Sequence, residues 1–229
     1  MIEGTTWVKV DYNDKANLVK ALDGVHTLLS FVLSFKDEGG VASKLLIDAA
    51  VEAGVKRFAP NEWSTNATTH LHWYATKHVI RDYLKEINKD KKASRPIFTA
   101  NSISGDAWLT PTKQVLEYTL FQPGLFMNYF THPYKTSPYM SHITMPVDFE
   151  TRQATLVADT EARITLTEIH DIARVVARAI EYEGEWPVTG GIQGNSILLS
   201  DLVALGEKLR GASFPPTSNH VCLHVVLDY

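Results

Sequence analysis

Apolar positions along the first half of the chain switch between a strand-like and a helix-like period. Residues 7–10 (WVKV) alternate and predict a short strand that ends at Asp11. Asn13 or Asp14 then stands where a helix cap belongs, and Leu18, Val19 and Leu22 recur at helical spacing up to Gly24. Residues 25–35 form an almost unbroken apolar run, the pattern of a strand covered on both faces in a parallel sheet. Gly39-Gly40 breaks that run. Leu45, Leu46, Ala49 and Ala50 then predict a helix over 41–53, and residues 55–59 predict a third strand stopped by Pro60. A helix over 73–87 carries Ile80, Tyr83, Leu84 and Ile87 on one side, and 116–121 (LEYTLF) predicts a strand closed by Gln122-Pro123-Gly124. Further on, Thr165 or Thr167 is placed to cap a helix reaching Ile180, and a last helix covers 200–209. Strands and helices joined by short links in this order predict an α/β fold built from βαβ units around a parallel sheet.

Two segments lie outside that rhythm. Residues 93–114 (ASRPIFTANSISGDAWLTPTKQ) have no clear period, and the tail after Gly211 opens on a Pro-Pro break, although 221–227 could form a terminal strand. Composition adds mostly exclusions. In 229 residues, 45% are hydrophobic and 21% charged, as in globular rather than disordered chains. Lys and Arg total 22 against 26 acids, for a net charge of −4, so no basic face favours nucleic acid. The single cysteine, Cys222, excludes an internal disulfide framework and a cysteine-rich zinc site. The N-terminus has no secretory pattern, and no apolar stretch approaches the ~20 residues of a membrane span. A soluble, cytoplasmic protein is expected.

Several blocks, in order, resemble the NmrA-like, isoflavone-reductase-like branch of the atypical short-chain dehydrogenases. They are VDYND at 10–14, LDGVHTLLSFV at 22–32, LLIDAAVEAGVKRFAPNEWS at 45–64 and WYATKHVIRDYL at 73–84. LEYTLFQPGLFMNYF at 116–130 and the block at 166–195 that begins LTEIHDIARVVARAI follow. The resemblance implies a Rossmann-like domain over 1–130 that binds NADP(H), and a substrate-side region over 131–229. It implies a small-molecule substrate, and leaves oligomeric state and substrate identity open.

The same resemblance suggests roles for individual residues. Lys77 matches the family lysine that holds the nicotinamide ribose and manages a proton, tasks suited to an ammonium with three donors and a tunable pKa. The tyrosine four residues earlier in typical short-chain dehydrogenases is here Trp73, with Tyr74 at three. Asp11 and Tyr12 fall where a strand end meets the adenine, or Asp11 simply caps the next helix. Ser30 and Phe31 close the strand beside the nicotinamide-side ribose, or fill the core. Asn61, with Pro60, lies in the loop lining the crevice, where Glu62 reads as a solvated acid. Phe126 and Tyr129 fit a substrate-facing aromatic wall, or core packing. The histidines at 70, 72, 78 and 170 have no spacing that enforces a metal site, and the glycines at 190, 191 and 194 read as a turn.

A dinucleotide fold of this type opens on a strand, a glycine-rich turn and a helix whose N-terminus meets the pyrophosphate. This sequence contains no such turn. If WVKV is the family's third strand, the first strand, its turn and the second strand are missing, and both ends read as truncated. The 93–114 insertion is a lid loop or a retained intron, since its codons can carry a splice donor, branch point and acceptor. The functional expectation is an NADP(H)-dependent oxidoreductase of small organic molecules, with secondary metabolism as the setting the resemblance implies. The alternatives are a non-catalytic dinucleotide sensor and an inactive fragment.

Overall fold

A computed structural model describes residues 4–66, 71–89, 115–141, 143, 145–155 and 161–214. In chain order the first elements are α1 (Lys15–Ala21), β1 (Thr27–Leu29), α2 (Val41–Glu52), β2 (Arg57–Ala59), α3 (Ala75–Lys89), β3 (Glu117–Tyr118) and β4 (Leu120–Gln122). They are followed by β5 (Leu125–Phe126), β6 (Val147–Asp148), β7 (Gln153–Ala154), β8 (Arg163–Thr167), α4 (Ile169–Glu181), β9 (Thr189–Gly191), β10 (Asn195–Leu198) and α5 (Leu199–Arg210). The chain forms two compact units, one from 1–62, 67–121 and 183–190 and the other from 63–66, 122–182 and 191–229. One break between the units falls at 121/122, and 183–190 return to the first unit.

The first unit is α/β. Strands β1, β2 and β3 lie side by side in parallel, with Leu28 opposite Phe58 and Phe58 opposite Tyr118. Leu18, Leu46, Ile47, Ala49, Ala50, Phe58, Ile80, Leu84 and Leu116 form its core. Helix α3 reaches that core through Ile80 and Leu84, one turn apart, while Asp82, Lys85, Glu86 and Lys89 face outward. Asp14, not Asn13, caps α1: its carboxylate accepts the Asn17 N–H at 3.0 Å.

Pairing corrects three expectations. Residues 7–10 are not a strand; Trp7 is 82% and Val8 62% exposed, and no described strand pairs with them. Alternation reports a propensity, whereas a strand exists only where a neighbour takes its backbone hydrogen bonds. Of 25–35, only β1 enters a ladder. The Ser30 N–H still reaches Ala59 O at 2.8 Å, but Pro60 then ends β2 and the pairing with it. Thr165 and Thr167 lie in β8, and α4 is capped instead by Glu168, whose carboxylate accepts the His170 and Asp171 N–H groups.

In the second unit β8 pairs with β5 in parallel and with β10 antiparallel, and β6 and β7 form a hairpin. Gly124, at φ +71°, lets the chain pass so close to β8 that a Cβ there would stand 2.4 Å from Thr165 O. Gly190 and Gly191 belong to strand β9 rather than to a turn, and only Gly194 lies in the turn before β10. Residues 93–114 and 221–227 lie outside the described residues. Among those described, no helix is long and apolar enough to cross a membrane.

Candidate active site at the carboxyl ends of the parallel strands

Ligand sites in open α/β sheets form beyond the carboxyl ends of the strands. Here β1 is followed by Ser30 and β2 by Pro60, and the loop after β2 is pinned by Asn61, whose Nδ2 donates to Val32 O at 2.6 Å. Helix α3 starts beside this loop. Its first turn is tied to the segment ahead of α2 by Thr76, whose hydroxyl donates to Asp37 O at 3.1 Å. Asp37 in turn organises α2: its carboxylate accepts the N–H groups of Ala42 at 2.8 Å and Ser43 at 3.0 Å. Gly40 sits between them at φ +71°, so near α3 that a Cβ would lie 2.9 Å from Ile80 Cδ1.

Lys77 occupies the centre of this arrangement. It is only 5% exposed, its Nζ donates to the main-chain carbonyl of Glu62, and it stands 4.0 Å from the centroid of the Tyr74 ring. Burial pulls its pKa down from 10.5 to about 8; the Glu62 charge opposes that shift and the Arg81 charge adds to it. Glu62 is not a solvated acid. It is 1% exposed and both carboxylate oxygens are held by Arg81, through Nε at 2.9 Å and Nη2 at 2.6 Å. Ser30, Asn61 and Lys77 line one small cavity of about 10 Å³, room for about one water.

The other expected site residues lie elsewhere. Tyr12 and Phe31 line a groove of about 730 Å³ between the 6–12 segment and β1, which Ser30 borders as well as the Lys77 cavity. Asp11 lies in a tight turn, its carboxylate accepting from the Asn13 N–H and side-chain amide. Phe126 and Tyr129 belong to the second unit, where their rings stack at 5.8 Å. In that unit the sequence reading missed a polar knot. Asn128 Nδ2 donates to Glu168 and Thr136 at 2.8 Å each, and its Oδ1 accepts the Ile169 N–H. The Asn128 bond, reinforced by His170 and Asp171, holds the Glu168 carboxyl down to about 2. The acid directly before the apolar stripe of α4 was the available signal, masked by the nearby threonines. Asn128 and Tyr129 also border a cavity of about 360 Å³ whose remaining lining comes from the 131–141 segment. Among the described residues, no three His, Cys, Asp or Glu side chains converge as metal ligands would.

The model of the NmrA-like family matches residues 1–102. Residues 1–102 are thus similar to the NmrA-like family. Over 214 residues the chain is 25% identical to Oxidoreductase BOA1 of Botryotinia fuckeliana (strain B05.10), covering 91% of this chain and 62% of that protein. Its fold is similar to that of leucoanthocyanidin reductase from Vitis vinifera (TM-score 0.61, 18% identity, 93% of this chain and 64% of that one). It is also similar to the NADPH-dependent quinone oxidoreductase QOR2 of Escherichia coli (TM-score 0.55, 21% identity, 94% and 62%). The chain therefore spans under two thirds of the length of these relatives, and the structural likenesses establish a shared Rossmann-type fold. In the NmrA-like segment, Lys77 and the loop at 60–62 occupy the carboxyl ends of the parallel strands.

Proposed function

We propose that this chain carries the nicotinamide-side half of an NADP(H)-dependent oxidoreductase that acts on a small organic molecule. Secondary metabolism is the setting we favour, and the cytoplasm the compartment. The observation that carries the reading is Lys77, buried at the strand ends with its ammonium held by one carbonyl and two of its three donors free of Glu62. That donor set suits a ribose hydroxyl, and a pKa near 8 suits a group that gives and takes a proton near neutral pH. A bound nicotinamide would supply the hydride, while Lys77 would orient the ribose and manage the proton.

The fit is confined to that end of the dinucleotide. The sequence has no glycine-rich turn opening a helix, and the N-terminal amides of α2, which could face a phosphate, are taken by Asp37. Calorimetric titration with NADPH is expected to give weak binding, lost on Lys77→Met and largely kept in Lys77→Arg. No detectable heat at millimolar NADPH would overturn the reading. The small size of the cavity at Lys77, about 10 Å³, favours a second reading, a dinucleotide sensor without turnover. Binding with no NADPH oxidation across a panel of quinones and aromatic ketones would select it.

A further inference from the structure

Lys77 and Arg81 are four residues apart on α3, so both point from one face of the helix toward the loop after β2. They share a single partner residue and divide it between them. The Arg81 fork covers both carboxylate oxygens of Glu62, and Lys77 has the Glu62 carbonyl. That division is not what charge alone would select. An ammonium beside a nearly unexposed carboxylate gains most by pairing with it, yet here the planar guanidinium has taken the bidentate position. Next in the chain, Trp63 has φ +26°, rare for a bulky residue, and the Glu62 N–H donates to Pro60 O at 2.7 Å, so the backbone is constrained on both sides of the carbonyl that Lys77 uses.

We propose that Arg81 is a positioning residue: by saturating the Glu62 carboxylate it confines Lys77 to the Glu62 carbonyl, and so fixes where the working ammonium stands. The inference rests on the reading of Lys77 as the working group, but its test does not require turnover. Without Arg81, the freed carboxylate captures Lys77, drawing its Nζ from the carbonyl and stabilising its charged form. With Glu62 made neutral, Arg81 is left as an uncompensated cation one turn from Lys77 and disfavours a second charge. With both changed, the local charge balance returns. Other ionisable groups on the surrounding segments include Asp37, whose carboxylate is engaged by α2, Tyr74 under the ammonium, and His78 on the exposed side of α3, with Asp82, Lys85, Glu86 and Lys89 further along that helix in solvent.

The experiment is competitive labelling of the intact chain with 1-fluoro-2,4-dinitrobenzene across pH 6–11, following Lys77 by peptide mass spectrometry. The expected titration midpoint is near 8 for the natural chain. It should rise by about one unit or more in Arg81→Met, fall in Glu62→Gln, and return close to 8 in the double variant. A purely structural ion pair would move both single variants the same way, toward the 10.5 of an unfolded lysine, and that result overturns the proposal. Circular dichroism identifies any variant that fails to fold, and Arg81→Lys, which keeps the charge but loses the fork, then takes its place with an intermediate upward shift. NADPH binding measured on the same samples separates the two ideas. Opposite shifts without binding would sink the oxidoreductase reading alone, and binding with shifts of one sign would sink only the role of Arg81.

Discussion

The burial that fits Lys77 for proton chemistry also costs stability, and the sign of that cost can be worked out. In the unfolded chain the group titrates at 10.5, in the folded protein at about 8. Between those values the unfolded chain holds more protons, so stability rises with pH. The penalty is full below 8 and gone above 10.5, and amounts to at most about 3 kcal/mol. Tyr83 acts in the opposite sense at higher pH. Burial, aided by its bond to Asp48, holds its hydroxyl protonated up to about 12, so stability falls as pH climbs from 10. Urea midpoints of the natural chain should therefore rise from pH 7.5 to 9.5. Lys77→Met should have a higher midpoint than the natural chain at pH 7.5 and a difference that shrinks toward pH 9.5. Parallel curves for the two proteins would mean that the buried ammonium carries no such cost. Lys77 was legible in the sequence because its surrounding block was. Glu62 was misread and Arg81 passed over, because an acid in a loop looks solvated until a guanidinium from another element is seen to cover it.

At the scale of elements, the approach to the site depends on how α2 begins. Its first turn has no capping side chain at Gly40, and Asp37, three residues earlier, serves instead while its carbonyl receives Thr76 from α3. Asp37→Ala leaves two buried-end amides without their acceptor and should lower stability by about 1–2 kcal/mol, read as a drop in Tm. Gly40→Ala combines a left-handed backbone with a Cβ 2.9 Å from Ile80 Cδ1 and should cost at least as much. Because Gly40 packs on α3 three residues beyond Lys77, Gly40→Ala should also weaken NADPH binding, whereas Gly54→Ala, with open space around its Cβ, should lose stability without that effect. An unchanged Tm in Asp37→Ala would show that the amides find water instead. Helices α1, α2, α3 and α5 were readable from spacing and lie within a residue or two of expectation. The start of α4 was not, because Thr165 and Thr167 have good capping chemistry but are claimed by the β8 ladder, a non-local contact no local pattern reports.

For the molecule as a whole, the order of strands and helices in the first unit was legible, while the reach of its sheet was not. The apolar run at 25–35 states that these side chains favour cover; it does not state that a neighbour covers them. Among the described residues β1 pairs only with β2, and beyond β1 Phe31 is 64% exposed at the groove it shares with Trp7, Val8 and Leu22. A continuous apolar groove of about 730 Å³ on a chain of net charge −4 is the kind of surface that takes up apolar ligands. The folded protein should accordingly bind anilinonaphthalene sulfonate, with energy transfer from Trp7 to the dye. A Trp7→Ser, Phe31→Ser double variant should lose most of the dye signal while keeping its circular dichroism. Lys77→Met should keep that signal, because Lys77 lines the small cavity and not the groove. Undiminished dye binding in the double variant would place the apolar surface elsewhere. Loss in Lys77→Met would mean instead that groove and cavity open into one another, and that Ser30, which lines both, is where a ligand passes between them.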